Sequence, residues 1–189
     1  MEDEIDRIVE QWGRVRPDLD VSPTHTLQRI TRADVLQTQS FTEVFARHGI
    51  TWGEYLVLAA LRRAGQPYRM NPTTLFNAVV LSSGAMTNRL DRLEEMGLVR
   101  RRPDPEDRRG RLVELTPKGR ALVDKAVVEH LTNEDRLLSG LSAAERTKLA
   151  DLLRKLLLSE PFRALDPVGR APARKAPARS RATTGRVGR

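Results

Sequence analysis

Residues 101–116, with the sequence RRPDPEDRRGRLVELT, decide the predicted fold. The segments 98–101 and 112–115 alternate apolar and polar side chains, which is typical of β-strands, and the prolines between them indicate a turn. Together they predict a β-hairpin. Its tip carries the arginines Arg108, Arg109 and Arg111. Composition alone leaves two interpretations: a solvated turn whose acidic residues cancel the arginines, or a basic tip that inserts where a narrow DNA minor groove focuses negative potential.

Two short helices are predicted immediately before this hairpin. Residues 72–79 form the first, with Pro72 in its first turn, and residues 83–96 form the second, which ends at Gly97. Helix, turn, helix and β-hairpin is the order of a winged helix-turn-helix. The predicted fold class is therefore mainly α with a small β-hairpin, a winged helix-turn-helix embedded in a helical dimerisation domain.

The second of these helices has two chemically different faces. Leu90 and Leu93 fall within about 40 degrees of Met86 on a helical projection, so these three residues form the predicted buried face. The opposite side and its flank carry small and polar residues: Gly84, Ala85, Thr87, Asn88, Asp91, Arg92 and Glu95. A helix that enters the DNA major groove by its N-terminus needs small and amide-bearing residues early, and Arg92 is placed to reach phosphate. A solvated helix is the alternative, but such helices favour long charged residues over small ones.

Arg89 belongs to neither face of that helix. It lies about 60 degrees from the buried centre, so its aliphatic stem is expected to be half covered. A guanidinium in that position needs an anion, which is either a protein carboxylate or a bound ligand.

Further helices surround the winged region. Apolar residues at helical spacing predict them over the first dozen residues, 22–47, 51–65, 117–138 and from a capping box at Ser142 and Glu145 onward. Isolated terminal helices are marginal in water, so their broad apolar faces predict packing against a second copy in a two-fold dimer. Packing within one chain is the alternative.

The net charge of +8 is unevenly distributed along the 189 residues. From Pro161 onward there are eight basic residues and one acid, which leaves 25 basic and 24 acidic residues before it. This last segment is low in complexity and is expected to be disordered. The predicted organisation is N-terminal helices at 1–48, the winged helix-turn-helix at 49–116, C-terminal dimerisation helices at 117–160 and a disordered basic tail at 161–189.

Several function classes find no support in the sequence. There is no cysteine, which excludes disulfides and thiolate metal sites, and His25, His48 and His130 lack the spacing of a metal site. Phosphate-binding loops and nucleophile elbows are absent. We therefore expect no enzyme activity, no metal and no cofactor. No apolar run approaches the roughly 20 residues that a membrane span needs, so we expect a soluble cytoplasmic protein without a membrane partner.

The residues from Asp107 to Thr116, DRRGRLVELT, resemble the wing signature of the MarR family of bacterial transcription regulators, Asp-x-Arg, three residues and Val-x-Leu-Thr. SSGAMTNRLDRLEEMGLVRR and LTPKG are similar to that family too, and the similarity covers about residues 22–158. The resemblance implies a homodimeric repressor or activator that binds a palindromic operator in double-stranded DNA. Arg109 would enter the minor groove with Asp107 holding its side chain, and Arg108 is the second candidate.

The predicted DNA-binding set combines the helix, the turn before it and the wing. Its members are Ser82, Ser83, Gly84, Ala85, Thr87, Asn88, Arg92, Asp107, Arg108, Arg109 and Arg111. The resemblance also implies that binding of an effector usually causes the protein to release the DNA.

The N-terminal extension resembles the MarR branch that responds to urate and related anionic metabolites. There a tryptophan on the extra first helix, an aspartate and two arginines build the ligand cleft, and Trp12, Arg89 and Arg101 match three of these places. Leu56 stands in place of the aspartate, which argues against urate as the effector. It favours a different or a larger, less polar effector, which is either a small anion or a natural product. The alternative for Trp12 is an apolar anchor of its helix.

Two other functions remain open at this point. Nonspecific architectural DNA binding through the basic tail would be diffuse and sensitive to salt. A winged-helix adaptor between proteins would show no preference for palindromic DNA.

Overall fold

The structure is a computed structural model and describes residues 2–79, 86–107 and 110–165. The elements in chain order are α1 (Glu4–Val15), α2 (Ser22–Ala46), α3 (Trp52–Arg63), β1 (Arg69–Met70), α4 (Pro72–Ala78), α5 (Met86–Glu95), β2 (Val99–Pro103), β3 (Arg111–Leu115), α6 (Pro117–Leu137), α7 (Ala143–Leu157) and α8 (Glu160–Leu165). The chain divides into two units, residues 1–146 and 147–189. The predicted turn at residues 80–82, the start of the second predicted helix and the tip residues Arg108 and Arg109 lie outside the described residues.

Local sequence signals explain where the helices begin. Asp3 caps α1, Thr51 caps α3 and Thr116 caps α6, each by accepting hydrogen bonds from the backbone of the first turn. At α1 and α3 an acid three residues after the cap completes a capping box. Ser142 and Glu145 bond to one another at the start of α7, as the predicted capping box requires.

The predicted hairpin is confirmed, and a third strand joins it. The sheet is antiparallel with the order β1-β3-β2, and its hairpin register runs from Val99 opposite Leu115 to Pro103 opposite Arg111. The two-residue strand β1 was not predicted because two residues are too few to show a period.

The core lies between the C-terminal half of α2, the helices α3 to α6 and the inner face of the sheet. The predicted buried face of α5 is confirmed, since Met86, Leu90 and Leu93 are all buried. α1 contacts α2 outside this core, and its Ile5 is buried. Fully buried side chains from the core elements include Phe45, Leu58, Leu75, Leu93 and Val113.

The start of α6 meets the strand β2 at unusually short range. A Cβ atom on Gly119 would lie 2.0 Å from the carbonyl oxygen of Leu98, so only glycine fits there. The Thr116 hydroxyl donates to the carbonyl oxygen of Gly97 at 2.8 Å, and the Lys118 ammonium donates to that of Met96 at 2.8 Å. These contacts fix α6 against the turn between α5 and β2.

The second unit contains most of α7 and the short helix α8. No residue of either helix is buried, and Leu152, Leu157 and Leu158 are each more than half exposed. The predicted tail began at residue 161, but the helix α8 runs from Glu160 to Leu165 and so takes in the first five residues of that segment. Residues 166–189 lie outside the described part. None of the described helices is long and apolar enough to cross a membrane.

Candidate functional site

The polar face of α5 is uncovered. Thr87, Asn88, Asp91 and Arg92 are exposed, whereas the apolar face of the same helix is buried in the core. The structure therefore agrees with the predicted division of this helix. The predicted partners Ser82, Ser83, Gly84 and Ala85 lie outside the described residues.

Arg92 is tied to a buried acid that the sequence interpretation missed. Its Nε atom lies 3.3 Å from Oε1 of Glu54, and the Glu54 side chain is 2% exposed. The other Glu54 oxygen accepts a hydrogen bond from the backbone of Thr51 at 2.7 Å. The Thr-x-x-Glu spacing signals the capping role of Glu54, but nothing in the sequence signals the contact with Arg92.

Arg89 is half-buried, as predicted, and lies directly on α3. A Cβ atom on Gly53 would stand 2.5 Å from the Arg89 Nε atom, so the absent side chain makes room for the guanidinium. The Nη1 atom of Arg89 is buried and has no hydrogen-bond partner among the described residues. The described residues thus leave one buried donor of this cation without an acceptor, which costs free energy in a folded protein.

An open cavity of about 480 Å³ contains this guanidinium. Its lining includes Thr42, Trp52, Glu54, Asn88, Arg89 and Arg92, so it joins α2 and α3 to the exposed polar face of α5. Behind Trp52 lies an aromatic cluster of Phe41, Phe45, Tyr55 and His130. Burial lowers the pKa of His130 below its ordinary value, so this histidine behind Trp52 is uncharged near neutral pH.

Arg101 is placed differently from the prediction. Its guanidinium contacts Asp91 and bonds to Glu94 at 2.6 Å, both on α5. The hydrogen bond to Asp91 raises the pKa of Arg101 above its ordinary value, so the group stays charged. Asp91 and Glu94 lie about 160 degrees and 140 degrees around α5 from Arg89. Arg101 is therefore satisfied within the chain, on the side of α5 that faces away from Arg89.

The remaining two predicted ligand residues do not line the cavity either. Trp12 is 49% exposed on α1, which packs on α2 through the ion pairs of Arg29 with Asp3 and Asp6. Leu56 is partly buried and packs against the core. Within one chain the structure brings only Arg89 of the four predicted residues to this cavity.

The described part of the wing forms a tight turn. The Asp104 backbone nitrogen donates to the carbonyl oxygen of Gly110 at 3.1 Å, and the Gly110 nitrogen donates to that of Asp107 at 2.8 Å. A side chain on Gly110 would crowd Asp107, whose Cβ is 3.0 Å from the position of the added carbon. Arg111 is exposed. The predicted pairing of Asp107 with Arg109 stays a prediction, because Arg109 lies outside the described residues.

The histidines are not gathered at a site. His48 lies 3.2 Å from Glu129 and His130 lies 3.2 Å from Glu134, which are separate contacts on α6. Among residues 2–79, 86–107 and 110–165, no group of three or more His, Cys, Asp or Glu residues is arranged to hold a metal.

Comparison with known proteins gives a consistent result. The model of the MarR family matches residues 50–110. The transcriptional regulator PecS of Dickeya dadantii is 39% identical over 153 residues, covering 81% of this chain and 92% of PecS. The multiple antibiotic resistance protein MarR of Salmonella typhimurium is 36% identical over 111 residues, which is 57% of this chain and 74% of that protein.

Solved structures with the same fold include one whose DNA binding is regulated by a small molecule and one in complex with DNA. BpsR of Bordetella bronchiseptica, whose DNA binding is regulated by 6-hydroxynicotinic acid, superposes with a TM-score of 0.64 at 29% identity, covering 71% of this chain and 94% of BpsR. A mutant MarR from E. coli complexed with operator DNA gives a TM-score of 0.62 at 28% identity, covering 82% of this chain and 99% of that one.

Proposed function

Because this chain belongs to the MarR family of transcriptional regulators, we propose that it binds a pseudo-palindromic operator as a homodimer and releases it when a small anion binds. In this proposal α5 enters the major groove, and the wing enters the adjacent minor groove. The observation that carries it is the exposed polar face of α5, held beside the hairpin by a buried apolar face.

The DNA contacts follow from the chemistry of that face. Asn88 and Thr87 offer hydrogen bonds to base edges, and Arg92 is exposed enough to reach a phosphate while its Nε remains beside Glu54. At the wing, Arg109 supplies the cation for the minor groove, Asp107 orients it, and Arg108 and Arg111 add charge. The related E. coli protein crystallised with operator DNA supports this assignment.

The homodimer is supported by apolar side chains that one copy leaves exposed. The helices α2 and α6 carry five apolar side chains that are 47–63% exposed: Leu27, Val35, Leu36, Val128 and Leu131. Within the second unit, α7 presents Leu152 and Leu157 in the same way. Burial against a second copy removes this surface from water and places two reading helices on one duplex.

The effector site is the cavity at Arg89. An aromatic carboxylate fits its chemistry, since the Arg89 guanidinium brings a cation to the lining and Trp52 offers an apolar wall. Such an anion would lie between α3 and α5, next to the pair of Glu54 and Arg92. Its binding would shift α5 against α3 and so move the DNA-contacting face.

Wing insertion is tested with Arg109→Ala, using an operator selected from random DNA with the wild-type protein. We expect the variant to bind this operator more weakly by roughly tenfold or more, because the dimer loses two wing contacts and each good side-chain contact contributes about 1–3 kcal/mol. Arg14→Ala, at an exposed site on α1, is the matched control. Wild-type affinity in the Arg109 variant would refute wing insertion, and a footprint without two half-sites about 34 Å apart would refute the dimer.

The effector site is tested by thermal shift with 6-hydroxynicotinate and urate as probes. A bound anion stabilises the native state by about 2.7 kcal/mol at a free anion concentration of 100 Kd, and this stabilisation raises the melting temperature. We expect the stabilisation to disappear in Arg89→Met and to persist in Arg101→Met, since Arg101 is satisfied by Asp91 and Glu94. Equal stabilisation of wild type and Arg89→Met by a probe would place its site elsewhere.

The nonspecific alternative relies on the basic tail. Deleting residues 166–189 removes seven of its cations and leaves α8 whole. We expect the truncated protein to keep its preference for the operator over random DNA, with a shallower dependence on salt. Loss of all preference on truncation would favour architectural binding.

A further inference from the structure

The outer face of the wing sheet carries a row of arginines around one acid. The strand register places Glu114 on β3 directly opposite Arg69 on β1 and opposite Arg100 on β2. Arg102 follows Arg100 on the same side of β2, because side chains in a strand alternate between the two faces. The neighbouring positions Val99 and Val113 point the other way and are buried in the core.

Glu114 orders these cations without neutralising them. Arg100 bonds to one of its oxygens, and the Nε atom of Arg102 lies 2.8 Å from the other. The hydrogen bond from Arg100 lowers the pKa of Glu114, so the group is a carboxylate at neutral pH. Three guanidinium groups and one carboxylate give the face two excess positive charges. Arg100 and Arg102 remain 46% and 49% exposed, whereas Glu114 is 16% exposed.

Fold stability gives no reason for this excess. Like charges gathered on one sheet face repel one another, and an exposed pair with a single carboxylate contributes at most about 1 kcal/mol. The arrangement instead holds two half-exposed guanidinium groups at fixed positions beside Glu114, and the fork-shaped donors of a guanidinium suit phosphate.

We propose that this outer face, formed by Arg69, Arg100 and Arg102 around Glu114, binds the DNA phosphate backbone that flanks the operator. The inference rests on the proposed function, in which the tip of the same hairpin enters the minor groove. The last strand pair before the tip is Pro103 with Arg111. At about 3.3 Å per residue, Arg102 lies about 3 Å and Arg100 about 10 Å behind that pair.

The spacing of these two arginines suits a nucleic acid backbone. They are two residues apart on one strand, which separates their Cα atoms by about 6.6 Å. Consecutive phosphates on one DNA strand are separated by a rise of about 3.4 Å along the axis and also by a turn around it, so arginines at this spacing can contact neighbouring phosphates of one strand. A wing inserted by its tip would therefore bring this face against DNA outside the bases that α5 reads.

The test compares duplexes of two lengths: one that ends at the half-sites, and one with about ten further base pairs, roughly one helical turn, on each side. The variant is Arg100→Gln/Arg102→Gln/Glu114→Gln, which removes both arginines without leaving the carboxylate unpaired. Arg14→Gln/Arg16→Gln/Glu10→Gln on and beside α1 makes the same change in charge at exposed positions and is the control. Arg69→Gln is the second variant, because it leaves the pairing of Glu114 with Arg100 and Arg102 intact.

Wild type should bind the longer duplex more tightly than the shorter one. The outer-face variant should lose most of this advantage, and its affinity for the longer duplex should fall roughly tenfold below that of wild type at about 150 mM salt. The slope of log K against log salt should become shallower by about 0.9 for each phosphate that the variant no longer neutralises. Arg69→Gln should act in the same direction with a smaller effect, and it decides the result if the triple variant fails to fold.

The outcomes separate this inference from the proposed function. If wild type and control prefer the operator to scrambled DNA, and the outer-face variants equal them on both duplexes and at all salt concentrations, the outer-face inference is refuted and the operator model stands. An acidic protein would then be the partner to seek for this face. If wild type itself shows no preference for the operator, the proposed function fails and this inference fails with it.

Discussion

Two contacts in the winged region depend on a glycine, and they differ in what the glycine faces. At the contact between α6 and β2, a methyl group on Gly119 would stand 2.0 Å from the backbone oxygen of Leu98. At the contact between α3 and α5, a methyl group on Gly53 would stand 2.5 Å from the side chain of Arg89. The first neighbour is fixed by the strand and the second is the end of a flexible chain.

This difference separates a rigid connection from an adjustable one. Thr116 and Lys118 add hydrogen bonds that fasten α6 to the turn between α5 and β2. The contact between α3 and α5 instead has a cavity, a guanidinium with a buried nitrogen that has no described partner, and the buried acid Glu54, which pairs with Arg92. In the proposed function, an anion can therefore move α5 at the contact near Arg89, whereas the contact at Gly119 holds α6 against the turn between α5 and β2.

The rigid contact predicts the largest effect of a single substitution. Gly119→Ala should destabilise the protein by about 3 kcal/mol or more and lower the melting temperature by roughly 10 °C, because the helix and the strand must separate. Thermal unfolding followed by circular dichroism measures this. Gly140→Ala is the control, since nothing lies within 4 Å of the added carbon there. Equal melting temperatures for the two variants would show that this contact is not rigid.

Substitution of Glu54, the buried acid at the contact between α3 and α5, should have an intermediate effect on stability. Glu54→Ala should cost about 2 kcal/mol, because it removes the capping box of α3 and the buried partner of Arg92. Glu54→Gln keeps the hydrogen bond to Thr51 and should recover part of the loss. Chemical denaturation gives both values, with Glu95→Ala at an exposed site of α5 as the control. A Glu54→Ala protein as stable as this control would mean that Glu54 contributes nothing to the contact.

The adjustable contact predicts the smallest effect on stability and a specific effect on function. Gly53→Ala should change the free energy of unfolding by less than about 1 kcal/mol, because the Arg89 side chain can rotate away and alanine favours the helix. The displaced guanidinium should no longer hold an anion, so stabilisation by a probe that acts on wild type should be lost. A variant that keeps the full probe response would place the effector site away from Arg89.

Much of the fold follows from local sequence because its signals are local. Thr51, Thr116 and Ser142 indicate helix starts within four residues, and the buried face of α5 follows from three apolar residues at helical spacing. The strand β1 was not predictable in this way because it is made by pairing with β3, more than 40 residues away. Arg69 joins Arg100 and Arg102 around Glu114 only through that pairing, so its place in the row was not predictable either.

In the candidate site, the position of a side chain around α5 could be predicted from the sequence, but the ion pairs between different elements could not. The half-buried position of Arg89 follows from an angle on a helix, so sequence reasoning found it. Arg101 was assigned to the same cleft by resemblance, but its partners depend on which side of α5 the strand β2 passes. Glu54 and Arg92 meet only because α3 and α5 cross at Gly53, which no spacing along the chain encodes.

The central claim, that two copies of this chain recognise one operator by its sequence, is tested most directly by a titration followed by fluorescence anisotropy. Labelled selected operator and a scrambled duplex of the same composition and length are titrated with the wild-type protein at about 150 mM salt. We predict a preference for the operator of about 1000-fold or more, saturating at two chains per duplex. Equal affinity for the two duplexes, or saturation at one chain, would contradict the account.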